Sequence, residues 1–188
     1  MELQWFDIRE LTEDAAQTVI GMMDETRRRR VADIAGEDDR KRTIAGELLA
    51  RRMLAQTMGC AEKDVPLQWD ELGKPIVEGV YVSVSHSGPW AVCVTADAPV
   101  GVDVEVVRSA QEKFMRRVCS EQEMAYIRSG DDGDCQRFWE IWTAKEALFK
   151  LTGKGPLLAL SRLALPRGVV LDHVMQKGCA LTTALRLG

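Results

Sequence analysis

The sequence lacks the features that mark membrane-spanning and secreted proteins. No apolar run approaches the roughly 20 residues that a helix needs to cross a bilayer. The first ten residues, MELQWFDIRE, carry acidic side chains where a secretory signal would have a basic end followed by an apolar stretch. We therefore expect a mature cytoplasmic protein that makes no membrane contact.

Cysteine pairs and excess basic charge are also lacking. The five cysteines are odd in number, widely spaced and without a C-x-x-C pair, which favours reduced thiols over disulfides or a zinc site. The net charge of −4 does not fit general nucleic-acid binding, because such binding rests on neutralising phosphates with a basic surface. Any positive patch must be local. With 188 residues, 46% of them apolar, the chain is long enough for one large domain or two small lobes.

What the chain does have is a strand-like alternation over residues 81–105. This run predicts a strand, a tight turn, a strand, a turn and a third strand that contains Asp103 and Glu105. These two carboxylates should point the same way, roughly 7 Å apart, a spacing that repels unless a cation lies between them. Such oxygen ligands suit Mg²⁺. The alternative is a solvated polar face of an edge strand, which is the commoner meaning of an isolated D-x-E.

Two helical patterns precede this run. The first predicts one helix that begins at Thr12 and continues to Gly36, with an arginine run at residues 27–30. A four-arginine run on a helix is usually a solvated surface, and the segment alone does not favour a function. The second pattern predicts a helix over Glu37–Met58, closed by Gly59.

Further helical patterns follow the strands. Ser120 to Glu123 fits a capping box, in which Glu123 reaches back to the cap. An apolar stripe predicts a helix over Cys135–Leu151, and three charged residues lie off or beside the stripe: Lys145, Glu146 and Lys150. The last two are four residues apart, so a surface ion pair worth a few tenths of a kcal/mol is the simplest interpretation. Residues 161–187 predict a terminal group of short strands.

Two candidate anion-binding residues lie on turns and strand ends. Lys74 lies in the turn Gly73-Lys74-Pro75, directly before the first strand of the central run. His86, one of two histidines, lies among small hydroxyl residues and Gly88, where it is well placed to donate to an anion. A solubilising lysine and a structural histidine are the alternatives.

Three motifs now follow one another along the chain. They are Ser85-His86-Ser87-Gly88, then Gly101-Val102-Asp103-Val104-Glu105, then Trp142-Thr143-Ala144-Lys145-Glu146-Ala147-Leu148-Phe149-Lys150 followed by Gly153-Lys154-Gly155. In this combination and spacing the chain resembles the 4'-phosphopantetheinyl transferases, specifically the single-chain Sfp type. The Gly73-Lys74-Pro75 turn and the R-T-x-x-G of residues 42–46 extend the resemblance over roughly residues 25–165.

The resemblance implies an activity and a set of partners. Enzymes of this family move the phosphopantetheine arm of coenzyme A onto a serine of an acyl, peptidyl or aryl carrier protein and release 3',5'-ADP. The resemblance also implies an α+β fold of two similar lobes related by a pseudo-twofold axis, about residues 1–100 and 101–188. Coenzyme A would lie between the lobes, and the chain would be a monomer. The C-terminal lobe is short for this type, since only two or three brief strands follow Leu165.

The resemblance also implies roles for individual residues. Mg²⁺ and the coenzyme A pyrophosphate would be bound by Asp103, Glu105 and Glu146, and Lys150 would face the pyrophosphate. The 3'-phosphate would be surrounded by Arg27, Arg30, Thr43, Lys74 and His86, with Ser85 beside the nucleotide. The two arginines stand where the family often has lysine. The carrier serine also needs a base, and we expect this to be Glu146, directly or through a metal-bound water, because a carboxylate next to Mg²⁺ can accept a proton where the hydroxyl is already polarised. Glu123, at an acidic position near the metal in the family, is the second candidate.

Two other functions use the same residues. A coenzyme A or carrier-protein binding module without transferase activity would also bind coenzyme A, but would add no phosphopantetheine to an apo carrier protein. A metal-dependent phosphohydrolase with the same acidic cluster would release pantetheine phosphate from coenzyme A in the absence of any carrier protein.

Overall fold

A computed structural model of the chain describes residues 1–130, 135–153 and 165–187. The chain divides into two compact units, Met1–Pro99 and Val100–Gly188. Each combines helices with an antiparallel sheet, so the predicted α+β class is confirmed. The pseudo-twofold relation stays a prediction.

The amino-terminal unit contains a three-stranded antiparallel sheet and one long helix. The strand order is β1-β5-β4, with bounds β1 Glu2–Asp7, β4 Tyr81–Ser87 and β5 Trp90–Ala96. A two-residue turn joins β4 to β5, and Gly88 supplies its positive φ of 54°. Helix α3, Glu37–Met58, packs against β4 and β5 and ends at Gly59 in the left-handed conformation (φ 66°), as predicted.

The single helix predicted over residues 12–36 is wrong. The segment forms two helices, α1 at Glu13–Met22 and α2 at Glu25–Ala32, separated by an extended Met23. The reason is a second N-cap, because the side chain of Asp24 accepts a hydrogen bond from the backbone of Arg27 at 2.8 Å. The acidic pair Asp24-Glu25 in the middle of the periodic pattern is the signal that would have revealed the break.

The segment between α3 and β4 contains short regular elements. It contains 3₁₀ turns at Glu62–Asp64 and a short antiparallel ribbon of β2, Gln68–Trp69, and β3, Pro75–Ile76. Asp70 organises the ribbon's turn, since its Oδ1 accepts from the backbone N–H groups of Leu72 and Lys74 at 2.9 and 2.8 Å. Lys74 therefore lies in a tightly specified turn, as the sequence predicts.

The carboxy-terminal unit has a sheet of order β6-β8-β7. The strands are β6 Val100–Val106, β7 Val169–Gln176 and β8 Cys179–Arg186, which confirms the predicted terminal strands. The helices are α4 Glu112–Val118, α5 Glu121–Arg128 and α6 Cys135–Thr152, and α6 packs on β6 and β8. The capping box of Ser120 and Glu123 at the start of α5 is present, as predicted.

Two findings concern membrane spans and cysteines. Within residues 1–130, 135–153 and 165–187, no helix has the length and apolar character needed to span a bilayer. The five cysteines are free, as their spacing predicts.

Candidate functional site

The sequence Gly101-x-Asp103-x-Glu105 runs along the face of β6 that helix α6 covers. A Cβ atom at Gly101 would lie 2.1 Å from the carbonyl oxygen of Ala147 and 2.7 Å from the backbone nitrogen of Leu151. Only glycine therefore allows this close approach of strand and helix. The same face carries Asp103, which is 4% exposed, and half-buried Glu105.

Lys150 reaches from α6 to the strand instead of pairing with Glu146. Its Nζ donates to Asp103 Oδ1 at 2.8 Å, so the predicted surface ion pair within α6 is replaced by a partly buried contact between two elements. Strand β6 is an edge strand of its sheet, yet Asp103 is buried. The alternative of a solvated polar face on an edge strand is thus excluded for Asp103.

Glu146 lies close enough to the strand carboxylates to feel their charge. Burial, together with repulsion from Asp103 and Glu105, raises the pKa of Glu146 to about 7 against the opposing effect of Lys150. Its Oε1 atom is buried and has no hydrogen-bond partner among the described residues. A buried acceptor beside two further carboxylates is chemically suited to a hard divalent cation.

The residues therefore fit Mg²⁺ by donor chemistry, but not as a preformed cage. In the described part of the chain, no group of three or more His, Cys, Asp and Glu side chains is arranged to hold a metal ion. The ligand set Asp103, Glu105 and Glu146 stays a prediction. Oxygens from a bound pyrophosphate would have to complete the shell, as is usual for Mg²⁺.

Glu123 has one partner that the sequence did not predict. Its Oε2 accepts from the backbone of Ser120, as the capping box predicts, and also from Lys145 Nζ, both at 2.6 Å. Lys145, expected beside the apolar stripe, is instead only 4% exposed, and it also donates to the carbonyl of Val118 at 2.8 Å. These contacts tie α5 to α6 and give the carboxylate a structural role.

The basic residues predicted to bind phosphate form two groups in the amino-terminal unit. The first group lies around the β2–β3 ribbon, where Arg27 stacks on Trp69, with its Cζ 3.8 Å from the ring centroid. Arg30 donates to the carbonyl of Asp70 at 3.0 Å, in the turn that also holds Lys74. Burial lowers the pKa of Lys74, which Asp70 partly offsets.

The second group lies at the start of α3 and the β4–β5 turn. The hydroxyl of Thr43 donates to the backbone carbonyl of Asp39, and the Asp39 carboxylate interacts electrostatically with His86. Arg42, which was not predicted, pairs with Asp39 and donates to the carbonyl of Gly88 at 3.0 Å. His86 is exposed, whereas Ser85 is buried on the opposite face of β4.

The chain was compared with known families and proteins. Residues 10–98 match the family model "4'-phosphopantetheinyl transferase, N-terminal", and residues 99–167 match the model "4'-phosphopantetheinyl transferase superfamily". The chain belongs to the 4'-phosphopantetheinyl transferase superfamily. The family predicted from its motifs is thereby confirmed.

Individual relatives come from several bacteria. The chain is 31% identical over 125 residues to the 4'-phosphopantetheinyl transferase gsp of Aneurinibacillus migulanus, an alignment that covers 65% of this chain and 53% of gsp. It is 25% identical over 156 residues to Sfp of Bacillus subtilis, covering 81% and 70% of the two chains. It is 33% identical over 128 residues to psf-1 of Bacillus pumilus, covering 65% and 54%. The chain thus spans about half the length of gsp and psf-1.

The structure describes one part of the predicted transferase signature but not all of the other. The W-T-x-K-E segment lies on α6 and carries Lys145, Glu146 and Lys150. Lys154 and Gly155 of the G-K-G motif lie outside the described residues.

Proposed function

We propose that this 4'-phosphopantetheinyl transferase homologue moves the 4'-phosphopantetheine group of coenzyme A to a serine of an apo acyl or peptidyl carrier protein, with Mg²⁺, and releases 3',5'-ADP. The observation that carries the proposal is that Lys150 of α6 donates to Asp103 of β6, and that half-buried Glu146 lies close enough to Asp103 for the two carboxylates to repel each other. This set combines carboxylates for a cation with an ammonium for a phosphate, which phosphoryl transfer requires.

In this proposal Asp103, Glu105 and Glu146 hold the ion. Mg²⁺ would neutralise charge on the pyrophosphate of coenzyme A and polarise its phosphorus. The ammonium of Lys150 has three N–H donors and already donates to an anionic oxygen, that of Asp103. It can also donate to a phosphate oxygen. This charge would stabilise the leaving 3',5'-ADP.

The transfer step forms one bond and breaks one. The serine Oγ of the carrier attacks the phosphorus that bears the pantetheine arm, an Oγ–P bond forms, and the P–O bond to the nucleotide breaks with its electron pair going to the leaving phosphate. The serine proton passes to Glu146, directly or through a water molecule. A carboxylate beside Mg²⁺ can accept this proton, because the ion polarises the attacking hydroxyl.

Glu123 is the second candidate for this base. Its carboxylate already accepts from Ser120 and Lys145, so a change of protonation there would break contacts that join α5 to α6. This cost supports Glu146 over Glu123.

The nucleotide end of coenzyme A would be bound by the amino-terminal unit. We assign the 3'-phosphate to Arg27, Arg30 and Lys74 around the β2–β3 ribbon, and to Thr43 and His86 near the start of α3. Cations set around a polar backbone turn are suited to a phosphate dianion. Ser85 beside the nucleotide, a cytoplasmic location and a monomeric state remain predictions.

The test is incubation with coenzyme A, Mg²⁺ and a panel of apo carrier proteins, followed by intact-mass measurement of each carrier. Addition of one phosphopantetheine to at least one carrier is expected, and omission of Mg²⁺ with a chelator present should prevent it. Binding of coenzyme A without modification of any carrier would favour the binding-module alternative. Release of pantetheine phosphate without a carrier would favour the phosphohydrolase.

A further inference from the structure

The amino-terminal unit contains a buried carboxylate, that of Glu47, to which the proposed function gives no role. Glu47 on α3 is fully buried, and its Oε1 accepts from Arg51 Nε at 2.9 Å. Arg51 is itself buried and donates to the backbone carbonyls of Met22 and Val65 at 3.0 and 3.2 Å. A buried charge is tolerated when it is paired and hydrogen-bonded in this way.

The second oxygen of Glu47 faces Arg27. Arg27 Nε lies 3.4 Å from Glu47 Oε2, and the guanidinium lies over the ring of Trp69 at 3.8 Å. One edge and one face of the guanidinium are therefore fixed by the protein. Its two terminal amino groups donate to no residue within the described ranges, so they are available to a ligand.

Like charges converge at this point. Arg30, one turn along α2, approaches closely enough to repel Arg27, and burial together with this repulsion lowers the pKa of Arg27, which Glu47 only partly offsets. Within the described residues, the guanidinium of Arg30 donates to one acceptor, and this acceptor is uncharged: the backbone carbonyl of Asp70. A bound anion would therefore reduce the repulsion between Arg27 and Arg30.

We propose that Glu47 and Trp69 are positioning residues that hold the Arg27 guanidinium ready for the 3'-phosphate of coenzyme A. The inference rests on the proposed function. Glu47 fixes the Nε edge, Trp69 fixes the plane, and the terminal amino groups keep the fork geometry that matches phosphate oxygens. Neither residue touches the substrate.

The sign of one substitution separates positioning from simple charge. Glu47→Gln removes a negative charge near the phosphate, so a purely electrostatic role predicts tighter binding of coenzyme A. Positioning predicts the opposite: KM for coenzyme A rises by about tenfold, while kcat and the KM for 3'-dephospho-coenzyme A change by less than about twofold. Glu25→Gln is the matched control, because Glu25 pairs with the more exposed Arg28 and Arg29 of the same helix.

Trp69→Leu provides a second test that leaves Glu47 and Arg51 intact. It should raise KM for coenzyme A with the same selectivity, and it decides the question if Glu47→Gln fails to fold. The inference is overturned if folded variants keep the wild-type preference for coenzyme A over its 3'-dephospho form, or lose turnover equally with both. If the wild-type protein transfers from both forms with equal KM, the 3'-phosphate assignment itself fails, and this inference with it.

Discussion

Lys150 Nζ donates to Asp103 Oδ1 at 2.8 Å across 47 residues of sequence. The contact joins helix α6 to strand β6 at the point where Gly101 lets their backbones approach. Asp103 and Lys150 are therefore held together by packing before any ligand binds, and such preorganised charge is what electrostatic stabilisation of a reaction requires.

Replacing Asp103 tests its assignment to the ion. Asp103→Asn keeps the shape of the side chain and an acceptor for Lys150 but removes the charge. We expect transfer to fall by more than about a hundredfold while the far-UV circular dichroism is unchanged. Asp172→Asn, an exposed aspartate on β7 of the same sheet, is the control and should behave as wild type. Near-normal turnover of Asp103→Asn would refute the assignment.

Gly101→Ala tests the close packing beneath the site. The new Cβ would lie 2.1 Å from the carbonyl of Ala147, so strand and helix must separate. The free energy of unfolding should fall by about 3 kcal/mol or more, measured by denaturant unfolding, and transfer should fall with it.

Gly21→Ala is the matched control for this substitution. Gly21 lies in helix α1, and nothing lies within 4 Å of its added Cβ. Alanine there should raise stability by up to about 1 kcal/mol, because it lowers the entropy of the unfolded chain. Equal effects of the two substitutions would contradict the role given to Gly101.

The raised pKa of Glu146 predicts a pH dependence of stability. Since its pKa is about 7 in the folded protein and 4.5 ordinarily, the folded state holds the proton more tightly. This contribution is fully present below about pH 4.5 and is lost as the pH rises through about 7. Glu146→Gln does not titrate, so its melting temperature relative to wild type should increase between about pH 5 and pH 8, measured with a chelator present. A difference that stays constant over this range would mean that Glu146 titrates normally.

Glu123→Gln separates the two candidate bases. Because Glu123 caps α5 and pairs with buried Lys145, we expect a loss of about 1–3 kcal/mol in the free energy of unfolding. Turnover of the folded protein should stay within about tenfold of wild type, whereas Glu146→Gln should abolish it. Glu121→Gln, an exposed change in the same helix, is the control. The reverse ranking of the two glutamates would make Glu123 the base.

Periodicity was sufficient to predict the elements that carry the site. Strand β6 and helix α6 have clear patterns, and their motifs identify the family, so Asp103, Glu146 and Lys150 could be named from sequence. Their pairing could not. Spacing within α6 favours a bond between Glu146 and Lys150, and only the packing of Gly101 against Ala147 brings Asp103 close enough to compete.

Buried charges were the main features that periodicity missed. Glu47 and Arg51 lie three and seven residues after buried Ile44, so they occupy the apolar face of α3, and Lys145 occupies that of α6. Binary patterning assigns charged residues to the surface, whereas each of these is buried with a hydrogen-bond partner on another element: Arg27 for Glu47, Met22 for Arg51 and Glu123 for Lys145. A charged residue in an apolar register is the signal to look for.

The most direct test of the proposed transfer is to quantify 3',5'-ADP and modified carrier protein in the same reaction with coenzyme A and Mg²⁺. We expect equal amounts of both products at all times, neither product without a carrier or with a chelator, and formation of both slowed by more than about a hundredfold with Asp103→Asn. Nucleotide release without carrier modification, or carrier modification at a near-normal rate by the Asp103→Asn variant, would contradict the proposed function.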